Sequence, residues 1–228
     1  MKNEYWRIEK RSSLKIVRLA VIFVFLLYLA WIGAWLLEQT LELNFGYMTT
    51  SQGQFVYWSV MKLLLWVIPA VVVIRYSGRK FAEVISIKRL RSILLWGGGV
   101  GLALGAVTII IKALGHQSFL SFDITWSFIG GVIVAPIVEE ITFRGAVLGA
   151  LTQHYRFAVA NILTAIFFLG AHIPGWYFQK TLMTNLSSPI GGALSIFILG
   201  LVFGYVAHKS KSVSGSIITH ILNNLFNA

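Results

Sequence analysis

The sequence has 228 residues, of which 57% are apolar and 12% are charged, and its formal net charge is +11. Soluble domains carry roughly 25% charged residues, so this composition excludes an ordinary soluble protein and predicts a polytopic membrane protein. We expect one integral-membrane domain over residues 1–228, because the length leaves no room for a second domain. The chain has no cysteine, which excludes disulfides, thiolate metal sites and a cysteine nucleophile.

Seven apolar runs follow one another along the chain and predict an all-α bundle of about seven membrane-spanning helices, within a range of six to eight. The runs cover residues 16–37, 55–76, 92–114, 126–151, 157–172, 189–207 and 212–227. A spanning helix needs about 20 residues, so the fifth and seventh runs are short. The first run is too long for a signal-peptide core, and we expect it to remain as an uncleaved first helix.

The basic residues lie mainly in loops that fall on one side of the membrane if the runs alternate in direction. That side holds 15 of the 19 Lys and Arg residues; two lie on the other side, and Lys62 and Arg144 lie within runs. By the positive-inside rule, this asymmetry predicts a cytoplasmic N-terminus. It also accounts for the positive charge, so the expected partner is the lipid bilayer and no nucleic-acid partner is expected.

Glycines repeat at four-residue spacing within two of the runs. The third run contains Gly97, Gly101 and Gly105, and the sixth contains Gly200 and Gly204. Stripes of small residues let membrane helices approach closely, so the pattern predicts helix–helix packing.

Two adjacent glutamates and an arginine lie deep inside the fourth run. A charge at the centre of a bilayer costs roughly 2.5–3.5 kcal/mol, so ionisable groups at this depth are candidates for function. Glu140 and Arg144 are four residues apart and share a helix face, which favours an ion pair. Glu139 is rotated by about 100° from Glu140. It is therefore less directly compensated, as suits a general base.

The fifth and seventh runs each contribute a histidine. His172 lies at the end of the fifth run, and His220 lies four residues before Asn224 in the seventh, so these two share a face. An imidazole with a carboxamide can hold a developing oxyanion. Taken alone, each group has a simpler explanation, such as a histidine that bonds a backbone carbonyl. Lys62 has no evident partner, and we interpret it as snorkelling or facing a cavity, outside the site.

These residues, in this order and on separate runs, resemble the three signature motifs of the CPBP family. That family comprises the CAAX prenyl endopeptidases and the bacteriocin-processing or immunity proteins also called Abi proteins. The resemblance covers residues 126–228, and no signature position departs from the pattern. The motifs are Glu139-Glu140-xxx-Arg144, Phe168-xxx-His172 and His220-xxx-Asn224.

The resemblance implies an intramembrane endopeptidase that hydrolyses a peptide bond with glutamate-activated water and no cofactor. Carried over by position, Glu139 would be the general base, and His172 would hold and polarise the water. His220 and Asn224 would stabilise the tetrahedral oxyanion. Phe168 would serve in packing.

By the same resemblance, Glu140 with Arg144 would form a supporting ion pair that orients the helix. The resemblance also implies a multi-pass protein of the bacterial plasma membrane. Its substrate would be a peptide or membrane protein in bacteriocin or peptide-signal processing, or in self-immunity.

Other functions remain open from the residues alone. A zinc protease would use Glu139, His172 and His220 as ligands, with water completing the tetrahedron. A non-catalytic bacteriocin-immunity protein would bind without cutting, and a transporter would use Glu139 as a proton site. The transporter needs a polar pathway, for which the first three runs offer little besides Lys62. An aspartyl dyad is excluded because Asp123 is the only aspartate, and the HExxH and G-x-S-x-G patterns are absent.

Overall fold

The computed structural model describes residues 2–115 and 123–228, with side chains described from Ser13 onward. These residues contain helices and no strand, which confirms the predicted all-α bundle. Short helical turns at Gly46–Thr49, Phe81–Val84 and Leu182–Ser187 connect the longer helices. The longer helices are α1 (Lys2–Asn44), α2 (Ser51–Tyr76), α3 (Leu90–Leu114), α4 (Trp126–Leu151), α5 (Phe157–Gly170), α7 (Ala193–Ser210) and α8 (Val213–Asn227). The six-residue helix α6 (Ile173–Phe178) directly follows α5.

Six helical stretches in the described part of the chain are long and apolar enough to cross a membrane. They are Ser13–Asn44 of α1, the helices α2, α3, α4 and α7, and the stretch Phe157–Phe178, which joins α5 and α6. Helix α8 has 15 residues. It is therefore shorter than the roughly 20 residues of a full span. The predicted range of six to eight spans is confirmed, and the cytoplasmic N-terminus stays a prediction.

Helix α4 is irregular on both sides of the two glutamates. It contains wide π turns at Ile129–Val134 and Ile141–Leu148, with a short α-helical stretch between them. Pro136 follows the first wide turn, and because proline has no N–H it cannot bond the carbonyl four residues earlier. Such wide turns occur frequently at functional sites. Glu139 and Glu140 thus lie on a regular segment held between two irregular ones.

The second half of α4 forms the centre of the bundle and is almost entirely buried. Helices α2 and α5 pack against it, and α5 also packs along α7. Helix α8 contacts α3, α7 and α4, while α1 contacts α2 and α6. Side chains from α4, from the end of α5 and from α8 therefore meet in the interior.

The glycine repeats lie at helix–helix contacts. A Cβ atom on Gly97 of α3 would lie only 2.5 Å from the backbone oxygen of Gly215 in α8. Thr219 of α8 donates a hydrogen bond from its Oγ1 to Gly97 O at 3.0 Å. On α7, a Cβ on Gly204 would overlap the side chain of Asn161 from α5. The predicted packing role of the glycine stripes is confirmed.

We expect Gly97→Ala to lower the free energy of unfolding by about 1–3 kcal/mol, because overpacking forces the backbone to shift. The atoms in its way belong to the Gly215 backbone and cannot rotate aside. Gly99→Ala is the matched control on the same helix, since nothing lies within 4 Å of its Cβ position. Thermal unfolding in detergent compares the two variants. Equal stability would contradict a close contact between α3 and α8 at Gly97.

Candidate active site

Glu140 joins α4 and α8 through one carboxylate oxygen. Its Oε1 accepts a hydrogen bond from Arg144 Nη1 at 2.9 Å and another from His220 Nδ1 at 3.0 Å. The exposed fraction is 0% for Glu140, 3% for Arg144 and 6% for His220, so solvent hardly screens these charges. The four-residue spacing places Glu140 beside Arg144 on the helix. The contact with His220 fixes how α8 faces α4.

Arg144 extends this network to α5 and α7. Its Nη2 donates a hydrogen bond to Gly200 O of α7 at 2.8 Å. The guanidinium lies over the ring of Phe168, with its Cζ 4.4 Å from the ring centroid, and 5.4 Å from that of Phe203. Aromatic faces attract cations, most strongly where water is excluded. Phe168 therefore supports the arginine as well as packing in the core.

Glu139 is placed differently from its neighbour. Its side chain is 13% exposed, and its Oε2 lies 4.0 Å from His220 Nε2. This distance is too long for a hydrogen bond. Glu139 makes no hydrogen bond to any described residue. Of the two carboxylates, it is the one that remains available to a ligand.

His172 lies at the junction of α5 and α6. Its Nδ1 is 2.8 Å from Phe168 O. This carbonyl lies in the last turn of α5, where carbonyls lack helical partners; the backbone N–H of His172 bonds Leu169 O instead. A carbonyl only accepts hydrogen bonds, so Nδ1 carries the hydrogen and Nε2 of the neutral ring is an acceptor. His172 lies close enough to Glu139 for their charges to interact.

His220, like His172, carries its hydrogen on Nδ1, because this nitrogen also faces an oxygen that accepts hydrogen bonds. Its Nδ1 faces the Glu140 carboxylate, so the hydrogen lies on Nδ1 and Nε2 is an acceptor while the ring is neutral. The Nε2 atom becomes a donor only when the ring is protonated. The ring is stacked on Phe203, with centroids 4.3 Å apart and an interplanar angle of 23°. His220 is thus held rigidly with Nε2 directed to the side of Glu139.

Asn224 is directed to the first wide turn of α4. Its Nδ2 donates a hydrogen bond to Gly131 O at 3.0 Å, and its Oδ1 accepts one from Asn223 Nδ2 at 3.1 Å. Among the described contacts, Asn224 touches neither Glu139 nor His220 directly. An amide nitrogen carries two hydrogens, so one remains free for a ligand.

The residues of the zinc alternative do not form a metal-binding group in this structure. No three His, Cys, Asp or Glu side chains within the described ranges are grouped so that they could hold a metal ion. Glu139, His172 and His220 nevertheless each keep an unbonded oxygen or nitrogen, which are atom types that zinc binds.

Lys62 of α2 belongs to this region, although we did not assign it to the site from the sequence. It lies close enough to Glu139 and to His172 for their charges to interact. It also lines a cavity of about 360 Å³ between α2 and α4. The sequence feature that could have indicated this position is a lysine within a span and without an evident partner. Phe203 gave no signal, because an aromatic residue in an apolar helix is ordinary.

Comparison with known proteins gives a match to a family model. A family model described as type II CAAX prenyl endopeptidase Rce1-like matches residues 121–226, a segment that includes all three motifs, helices α4 to α7 and all but the last residue of α8. No curated protein and no solved structure matches the chain. The match over residues 121–226 confirms the resemblance to the CPBP family, and the matched Rce1-like family is a family of proteases.

Proposed function

We propose that the protein is an intramembrane endopeptidase in which Glu139 activates the water that hydrolyses a peptide bond. The main support is the contrast between the two adjacent glutamates. Glu140 is bonded to Arg144 and His220, whereas Glu139 has no hydrogen bond and is partly exposed. A general base must be free to accept a proton, so Glu139 suits that role and Glu140 does not. The family match supports peptidase activity.

In the proposed reaction, a Glu139 oxygen accepts a proton from water, and the hydroxide oxygen bonds to the carbonyl carbon of the substrate. His172 Nε2 accepts a hydrogen bond from the same water and orients it. The C–N bond then breaks, and the protonated Glu139 returns its proton to the departing amine. The reaction consumes one water molecule and no other co-reactant.

The negative charge that develops on the former carbonyl oxygen needs hydrogen-bond donors. We assign this role to the free hydrogen of Asn224 and to Nε2 of His220. Because His220 Nδ1 is bonded to Glu140, Nε2 can donate only as part of an imidazolium. The Glu140 carboxylate stabilises that positive ring. Glu140 would therefore support catalysis through His220 as well as orienting the helix through Arg144.

We further propose that this multi-pass protein lies in the bacterial plasma membrane with its N-terminus in the cytoplasm. The substrate would be a peptide or membrane protein in bacteriocin or peptide-signal processing, or in self-immunity. The short connections between the helices support a small substrate of this kind, since they offer little surface for a folded partner.

The activity is tested with purified protein in detergent and a library of apolar peptides, with and without prenyl groups, analysed by mass spectrometry. We expect paired products with a new carboxyl end and a new amino end at one bond. A library that remains intact would count against an endopeptidase.

Cleavage should survive metal removal, because the proposal assigns water activation to a carboxylate. We expect an unchanged rate after exhaustive treatment with EDTA and 1,10-phenanthroline, and elemental analysis should find no stoichiometric zinc. Loss of activity that returns on adding zinc would instead favour Glu139, His172 and His220 as zinc ligands.

A further inference from the structure

A cavity of about 270 Å³ lies where four of the membrane-crossing stretches begin or end, and we call it the interfacial cavity. In its wall, Arg79 follows the end of α2, Thr152 follows the end of α4, and Phe157 begins α5. His208 lies in the last turn of α7, and Lys211 follows that helix. The ends of spanning helices lie at the level of the lipid headgroups. The interfacial cavity therefore lies in the polar layer of the membrane.

Basic side chains outnumber acidic ones in the wall of this cavity. Arg79, Arg144 and Lys211 contribute positive charge, and Glu83 is the one acid among the described residues that line it. Glu83 is exposed and makes no ion pair with a described residue. Arg144 is paired with Glu140, but its Nε is a buried donor without a hydrogen-bond partner in the described part of the chain. The wall thus carries positive charge that the described protein groups do not neutralise.

Arg79 is held in a fixed position with part of its guanidinium free. Its Nε donates a hydrogen bond to Ser77 Oγ at 3.1 Å, and its Nη2 donates one to Gly145 O at 2.6 Å. A Cβ atom on Gly149 would overlap Nη1, so glycine at this position lets the guanidinium lie against α4. Nη1 makes no hydrogen bond to a described residue and keeps its two hydrogens. A fixed guanidinium with free hydrogens is well suited to bind phosphate oxygens.

Lys211 has a backbone conformation that favours glycine. Its φ of 55° and ψ of 32° lie in the left-handed region, at the C-cap of α7. A Cβ atom makes this conformation costly, and strained residues persist mainly where function requires them. The side chain of Lys211 lines the interfacial cavity and makes no hydrogen bond or ion pair with a described residue. A ligand bound by its ammonium would explain both observations.

We propose that the interfacial cavity binds the phosphate of an anionic lipid headgroup, with Arg79 Nη1 and the Lys211 ammonium as donors. Basic pockets between membrane helices bind headgroups of this kind. The volume of about 270 Å³ lies just below the roughly 300–1,000 Å³ of most small-molecule sites, so the cavity fits a headgroup better than a larger ligand. Leu148 and Phe157 add apolar surface beside the basic groups, which suits the glycerol end of a lipid. The proposal does not depend on peptidase activity.

An anion in this cavity would lie beside the ion pair that supports the candidate active site. Arg144 forms part of the wall, and Arg79 bonds the carbonyl of the next residue, Gly145. A negative charge beside Arg144 would add to the compensation that Glu140 supplies. A ligand that binds only the folded state also stabilises it. The lipid should therefore raise the unfolding temperature of the protein.

Binding is measured on the purified, delipidated protein in a neutral detergent, from the shift of the unfolding temperature during titration at constant ionic strength. The probes are phosphatidylglycerol and phosphatidylcholine with the same acyl chains, and sodium phosphate. The choline cation cancels the charge of the phosphate, so we expect phosphatidylglycerol to bind about tenfold more tightly, as for a charged hydrogen bond. Equal binding of the two lipids would overturn the proposal. Sodium phosphate that binds as tightly as phosphatidylglycerol would overturn a lipid as the source of the phosphate.

Variants at the wall show whether the preference comes from this cavity. Lys211→Gly should bind phosphatidylglycerol about tenfold more weakly, to the level of phosphatidylcholine. In lipid-free detergent it should unfold at no lower temperature than the wild type, because glycine relieves the left-handed strain. Glu83→Gln should bind phosphatidylglycerol more tightly than the wild type, since it removes a negative charge from the wall.

Lys209→Gln is the matched control for the lysine variant. Lys209 lies two residues from Lys211 and carries the same charge, but it does not line the cavity and instead lies over the rings of Trp96 and Tyr205. We expect it to keep the preference for phosphatidylglycerol. An equal loss in Lys209→Gln and Lys211→Gly would show attraction to the basic surface in general and would overturn the cavity as the site. A preference that persists in Lys211→Gly would overturn it as well.

Discussion

Replacing Glu139 by glutamine should reduce peptide cleavage by about 10²–10⁴-fold, the contribution expected of a general base. The amide has nearly the shape of the carboxylate but cannot accept a proton from water at neutral pH. Because Glu139 makes no hydrogen bond to a described residue, the change leaves no buried group without a partner. The rate of product formation and the thermal unfolding temperature, measured in one detergent, should show lost activity in a stable protein.

Asp123→Asn is the matched control for this experiment. It makes the same carboxylate-to-amide change at an exposed residue just before α4, outside the three motifs. We expect it to cleave at the wild-type rate. Cleavage by Glu139→Gln at that same rate would contradict the assignment of Glu139 as the base and leave the proposed reaction without its first step.

Much of the fold and part of the site can be predicted from the sequence, because they depend on the length of apolar runs and on residue spacing within single helices. Apolar runs of membrane length predict the helices, because every buried backbone group in lipid must be bonded within its own helix. The ion pair between Glu140 and Arg144 is also a local consequence, since a spacing of four residues brings side chains together on any α-helix. Glycine spacing likewise marks the faces on which helices meet.

The remaining features depend on how separate helices are rotated against one another. His220 and Asn224 share a face of α8 by spacing, but spacing does not say what that face meets. The structure directs His220 to Glu140, 80 residues away in the sequence, and Asn224 to the backbone of Gly131. Close packing of α8 against α3 sets this rotation. Lys62 comes close to Glu139 only because α2 packs against α4.

Glu140→Gln should lower the free energy of unfolding by about 3–5 kcal/mol, the cost of breaking a buried ion pair on one side only. Arg144, which is 3% exposed, would keep its charge without a carboxylate partner. Glu140→Gln should therefore unfold at a clearly lower temperature than Glu139→Gln, although the two substitutions are chemically identical and adjacent. Equal unfolding temperatures would contradict the different environments of the two glutamates.

A second substitution separates the two roles of Glu140. In Glu140→Gln/Arg144→Met both charges are absent, and replacing a buried pair by neutral groups is often close to neutral for stability. We therefore expect the double variant to recover most of the unfolding temperature lost in the single variant. Cleavage should stay low, because a glutamine cannot stabilise the imidazolium form of His220 as the carboxylate does. If cleavage returned together with stability, the role of Glu140 would be limited to its ion pair with Arg144. The oxyanion would then need a hydrogen-bond donor other than His220.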